Sequence, residues 1–136
     1  SDSNSSTRLE IASGDLIGLG LGSTPSGDDV VAGTAAALAS IARSTSALSA
    51  ECHQILGTLK RVIRSSRNRT TALSTELMSC AAHGYAMRRF RRYANSAVYG
   101  GDIGGTTSEL CGTGRSSGYF LATGAALALK AVSERK

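Results

Sequence analysis

The sequence has no Trp, a single Pro, three Cys and an aromatic share of only 4%. Each shortage closes off a class of protein. With so few large rings, a core has to be built from small aliphatic side chains. There is no uninterrupted run of about 18 apolar residues, the minimum for a membrane-spanning helix. The opening SDSNSSTR lacks the basic-then-apolar order of a secretory signal. The odd number of cysteines, Cys52, Cys80 and Cys111, spaced 28 and 31 apart, fits neither a disulfide framework nor a CxxC metal knuckle. They read as reduced, buried thiols in a cytoplasmic protein. His53 and His83 lack nearby carboxylate companions, there is no GxSxG elbow, and no Cys has an evident base. Histidine metal ligation and covalent nucleophilic catalysis are therefore not expected.

What is present in quantity is small. Ala, Ser, Gly and Thr supply 20, 20, 16 and 12 of the 136 residues, half the chain. Small side chains let helices approach one another closely, and this length suits one domain with its own core. The net charge of +5 is unevenly placed: residues 60–92 carry nine basic groups and one acidic, whereas residues 1–59 carry two and six.

Residues 1–7 are polar and without periodicity and read as a flexible tail, leaving 8–136 as a single helical domain. Residues 8–17 read as a lead-in strand or turn. Next comes GLGLGSTPSGDD, four glycines and the only proline, which is punctuation rather than a regular element. Apolar spacings of three and four then predict a helix through Val30, Val31, Ala35, Leu38 and Ile41, with Ser26 as its cap and Asp28 and Asp29 in its first turn. Further helices are expected over 49–64, 71–87, 86–98 and 119–135, with a second Gly/Ser/Thr-rich zone at 100–118. The fold class is mainly α: a compact bundle of about five small-residue-rich helices with two Gly-rich turns at helix N-termini. The two turns lead into similar strings, DDVVAGTAAALA and YFLATGAALALK. The likeness suggests pseudo-symmetry but is too short to establish a repeat.

The first turn has the parts of an anion site. Glycines such as Gly22 and Gly27 admit a ligand to the backbone, and the helix start offers unpaired N–H groups beside the Thr24 and Ser26 hydroxyls. Asp28 and Asp29 would repel an anion unless a hard cation lay between, so Mg²⁺ held by these two carboxylates is the version of the site to test. The competing explanation is a helix cap with dipole-favoured carboxylates. The stretch is not a Walker loop, since the Lys of that motif is absent.

The string LIGLGLGSTPSGDDVVAGTAAAL resembles the GLGxGxTPSGDDxLxG signature of the family that includes a subunit of oxamate carbamoyltransferase, from anaerobic allantoin degradation. Arg69-Thr70-Thr71-Ala72-Leu73-Ser74 is similar to that family's TTxLS segment. Residues 112–124 are similar to its GxxSGxDxLxG segment, with Tyr119 where an Asp is usual. The likeness covers the C-terminal half of such proteins. It implies carbamoyl transfer between carbamoyl phosphate and an oxamate-like acceptor, by a polypeptide that works with partner subunits or as a homo-oligomer. Such chemistry needs a held phosphate and donors for the developing oxyanion more than covalent work by the protein. Thr24, Ser26 and Gly27 would hold an anion in the first turn. Thr70, Thr71 and Ser74 would offer hydroxyls, with Arg67 or Arg69 supplying charge, against plain helix capping as the alternative. Arg115, Ser116, Ser117 and Gly118 would repeat that logic in the second turn and face the first across one pocket. No catalytic residue is assigned.

Two other functions stay open. One is a non-catalytic interaction or scaffold protein of the same fold, which Tyr119 favours. The other, less favoured, is a basic nucleic-acid-binding module built on KRVIRSSRNR and RRFRRY, with Phe90 and Tyr93 available to stack on bases.

Overall fold

The computed structural model describes residues 2–44, 47–112, 114 and 116–134. Among these the chain forms seven α-helices, α1 (Asp2–Leu16), α2 (Ser26–Ala42), α3 (Ser49–Ser65), α4 (Ala72–Ala82), α5 (Arg88–Tyr99), α6 (Ile103–Cys111) and α7 (Ser117–Ser133), with a short 3-10 turn at Arg67–Arg69 and no strand. Helix α2 is the central element, packed most extensively against α7 and then against α4 and α3. Nearly all of it is buried, from Gly27 to Ala42. An Ala-rich helix can be surrounded in this way because its side chains cost no rotamer entropy and leave room for neighbouring backbones.

The α2–α7 crossing is set by two glycines. A Cβ on Gly33 would overlap the Leu121 carbonyl, and one on Gly124 would overlap the Val30 carbonyl. Val30 and Leu121 each lie three residues before their own helix's glycine, so the contact is reciprocal: each helix rests its glycine on the other's backbone. Thr34 ties the crossing, its hydroxyl reaching the Val30 and Gly124 carbonyl oxygens at 2.9 and 3.1 Å.

Residues 8–16 are helical rather than a strand or turn, and helix geometry reaches back to Asp2 within the segment read as a tail. The helix count also rises from five, because α6 lies inside the second Gly/Thr-rich zone. Its start is supplied locally, where the Asp102 carboxylate accepts the Gly105 N–H at 2.9 Å and Thr106 and Leu110 are buried against neighbouring helices. Helix α4 is shorter than expected and stops before Gly84, whose φ of +90° ends the helical path. Ser26 is not the cap of α2. Pro25 takes that position and Ser26 is the first helical residue. No helix is long and apolar enough to cross a membrane among the described residues. Cys52 is buried as expected, whereas Cys80 and Cys111 are half-buried.

Candidate functional site

Asp28 and Asp29 are neighbours in the first turn of α2, and the helix aims them in different directions. Asp28 is 1% exposed. One of its oxygens accepts the Gly18 N–H at 2.6 Å; the other accepts the Ser74 hydroxyl at 2.5 Å and the Thr70 hydroxyl. Gly18 is required for this arrangement, since its φ is +89° and a Cβ there would strike the Arg69 carbonyl oxygen. Thr71 completes the clamp: its hydroxyl donates to the Ser23 carbonyl at 2.6 Å while accepting the Ser74 N–H at 3.0 Å as the cap of α4. Thr70, Thr71 and Ser74 are thus brought to the first turn, but they fasten it to α4 instead of offering free donors.

The first turn also satisfies backbone donors internally. The Gly27 N–H bonds the Leu19 carbonyl at 2.8 Å, and Gly27 packs so closely on the Leu16 carbonyl that a Cβ would overlap it. Gly22 and Ser23 are exposed and Ser26 half-buried. With three donors on Asp28, the expected Mg²⁺ bridge between the two carboxylates has no support from the donor set. No group of three or more His, Cys, Asp or Glu is placed to hold a metal ion among the described residues.

Asp29 differs. It is 6% exposed, and its Oδ2 is buried without a hydrogen-bond partner. Burial pushes its carboxyl up to about 6; the Ser117 hydroxyl bonding to it works in the other direction, and the Asp28 charge adds a smaller upward push. The Ser117 hydroxyl also lies 2.9 Å from that of Thr24. The Ser117 hydroxyl thus lies between Thr24 and Asp29. A relay of two hydroxyls therefore crosses from the first turn to the start of α7 and ends on Asp29. The two turns do meet across one pocket, through Thr24 and Ser117.

That relay forms the polar end of a cavity of about 550 Å³, whose other walls are largely apolar: Ala32 and Ala36 of α2, Leu77, Cys80 and Ala81 of α4, Phe90 of α5 and Leu121 of α7, with Tyr85, Ala86 and Met87 between α4 and α5. Tyr85 and Met87 are 74% and 44% exposed, which places solvent at that side. The space exists because α2, α4 and the α4–α5 connection present alanines where larger side chains would close it. None of the described lining residues carries a positive charge. Gly114 lies on the wall, Gly118 is buried and Ser116 is exposed without capping α7 through its side chain. Arg115 lies outside the described residues. Tyr119 is 59% exposed and stacks edge-on against Phe120 at 5.4 Å.

The apolar walls were not anticipated from sequence; the signal that could have found them is the Ala32 and Ala36 pair, one helical turn apart on the same face as Asp29. The basic block forms a separate, smaller groove of about 140 Å³ between α3 and α4, lined by Lys60, Arg64, Arg67, Glu76 and His83. Phe90 and Tyr93, the rings offered for base stacking, are 2% and 6% exposed and pack edge-to-face on each other at 6.1 Å. Buried rings cannot stack on bases, and that part of the nucleic-acid reading falls.

Among known proteins, the model of one family, oxamate carbamoyltransferase subunit AllH, matches residues 16–129. No curated protein and no solved structure matches the chain.

Proposed function

The chain belongs to the family of the oxamate carbamoyltransferase subunit AllH, and from that premise we propose that it is the component of a carbamoyltransferase assembly that holds the amide end of the reactants in the Asp29 cavity. The observation that carries this reading is the buried Asp29 carboxyl, which lines the cavity where the two glycine-rich turns meet. Buried polar atoms in native proteins nearly always have partners, and one oxygen of this carboxyl has none within the protein.

In carbamoyl transfer from carbamoyl phosphate, the acceptor nitrogen bonds to the carbamoyl carbon, the bond from that carbon to the phosphate oxygen breaks, and the nitrogen loses a proton. Asp29 accepts a hydrogen bond from that N–H and takes the proton. A carboxylate titrating near 6 is suited to this at neutral pH. The Thr24 and Ser117 hydroxyls fix its orientation. The phosphate and the oxamate-like carboxylate need cations that the described lining does not supply, so partner subunits bring them to the mouth near Tyr85 and Met87. In this reading the anionic groups are held with the help of partner subunits and not by the first turn alone.

The test is turnover of the assembly purified with its partner subunits. Asp29→Ala should lower kcat for carbamoyl transfer to oxamate at least about a hundredfold while the subunits still co-elute. Unchanged turnover would remove Asp29 from the reaction. A non-catalytic role is favoured by one observation, the exposed Tyr119 in place of an acid; it predicts that assembly survives and that Asp29→Ala changes nothing.

A further inference from the structure

The two faces of α4 look onto different surroundings. Leu77, Cys80 and Ala81 line the Asp29 cavity, whereas Thr75, Glu76, Ser79 and His83 line the groove against α3, and the two spaces share no lining residue. Across that groove stand Lys60, Arg64 and Arg67, spaced four and three residues apart along the end of α3 and the 3-10 turn after it. None of the three makes an ion pair or a side-chain hydrogen bond with another described residue. The dipole of α3 accounts for a cation such as Arg64 in its last turn, but not for Lys60 a turn earlier or for Arg67 beyond the helix. Cations gathered around one recess repel one another, and an anion between them relieves that repulsion.

The α4 wall adds a donor. The Ser79 hydroxyl has no hydrogen-bond partner among the described residues. His83 is held beside it, its Nδ1–H donating to the Ser79 carbonyl oxygen at 2.8 Å. Glu76 is the one acid of the groove, so three fixed cations face one carboxylate, an excess of two positive charges. At about 140 Å³ the groove is smaller than the roughly 300–1,000 Å³ of sites for drug-sized ligands, which leaves room for an ion or a headgroup but not for a nucleotide.

We propose that this groove binds a phosphate group, free or as the terminus of a small phosphomonoester, between Lys60, Arg64 and Arg67 on one side and Ser79 on the other. A phosphate group carries about −1.5 to −2 charges at neutral pH, which matches the excess. Its oxygens point in several directions and take guanidinium forks and a hydroxyl from opposite walls, as a planar, monovalent carboxylate does not. Glu76 competes with such a ligand. The site lies on the other face of α4 from the Asp29 cavity and stands independently of the role given to that carboxyl.

The test is a titration of the full chain with inorganic phosphate at constant ionic strength, followed by amide NMR shifts. Saturable shifts should centre on Thr75, Ser79 and His83. Arg64→Gln and Arg67→Gln, both at exposed positions, should each weaken binding at least about fivefold. Glu76→Gln, which removes the competing charge, should tighten it. Arg91→Gln, at an exposed cation on α5 that does not line the groove, should leave it unchanged. Glycerol phosphate distinguishes the sources: binding as tight as that of inorganic phosphate supports an ester terminus, and binding of inorganic phosphate alone supports the free ion.

Acetate binding as tightly as phosphate would overturn the phosphate class. Equal weakening by Arg91→Gln and Arg64→Gln would reduce the effect to diffuse attraction by a basic surface. Binding lost in Asp29→Ala but kept in Arg64→Gln would move the ligand to the cavity and overturn the groove. No saturable shift would remove the site outright, and would leave the reading of Asp29 untouched.

Discussion

Helices α2 and α7 begin from the same Ser-Gly pair, Ser26-Gly27 and Ser117-Gly118, and cross through equivalent glycines, yet their turns are built on different terms. The first is fastened: Asp28, two residues after Ser26, gathers Gly18, Thr70 and Ser74, and Thr71 closes on Ser23. The second has Tyr119 in the place of Asp28, exposed and touching its neighbour Phe120. One step further along, Asp29 faces the cavity where α7 has Phe120. The comparison separates two jobs that a run of acids and glycines cannot distinguish by itself. The crossing demands glycine in both helices; the latch and the open carboxylate belong to one.

The largest effect should come from breaking the latch. Asp28→Ala strands the Gly18 N–H and two hydroxyls around a buried gap, and should cost at least about 3 kcal/mol in a urea unfolding experiment. Loss of under about 1 kcal/mol would mean that the turn holds without its carboxylate. Next comes the shared crossing. Gly33→Ala and Gly124→Ala each drive a methyl into the partner's backbone, and each should cost about 2–3 kcal/mol; the reciprocal geometry predicts similar values, and a large inequality would break the symmetry argument.

Asp29→Asn should act in the opposite direction. The folded carboxyl titrates near 6 against an ordinary 3.8, so the fold binds a proton more readily than the unfolded chain. The contribution is favourable below about pH 4 and is lost as pH rises through 6. Removing the charge should therefore leave stability nearly unchanged at pH 4 and raise it at pH 7.5 by about 1–2 kcal/mol, read as the difference in urea midpoints. A variant destabilised at pH 7.5 would show that the charge is compensated. The smallest effect belongs to Tyr119→Asp, which lies on the surface and should change stability by less than about 0.5 kcal/mol; a large gain would reveal a second latch waiting for its acid.

Much of this organisation was legible in the sequence. The 3.6-residue periodicity gave α2, α3 and α7 nearly to their ends, because their apolar faces are continuous. Helix α1 was missed because its residues 2–7 are polar and show no stripe, and α6 because its Gly104 and Gly105 look like loop when Asp102 in fact caps a helix there. Of the residues lining the candidate site, Thr24, Asp29 and Ser117 were named, but their roles were not. Asp28 and Asp29 are adjacent and identical in type, and only the direction imposed by the helix tells the satisfied acid from the open one. The cavity was invisible for a related reason: alanines report close packing in composition, and whether a neighbour fills the space they leave depends on the tertiary arrangement.

The most direct measurement is an NMR-monitored pH titration of the Asp29 side-chain carboxyl in the full chain. The geometry predicts a midpoint near 6, because burial and, less strongly, the Asp28 charge disfavour the ionised form. A midpoint near 3.8 would show that Asp29 is solvated or fully partnered and would remove it as the proton acceptor of this cavity.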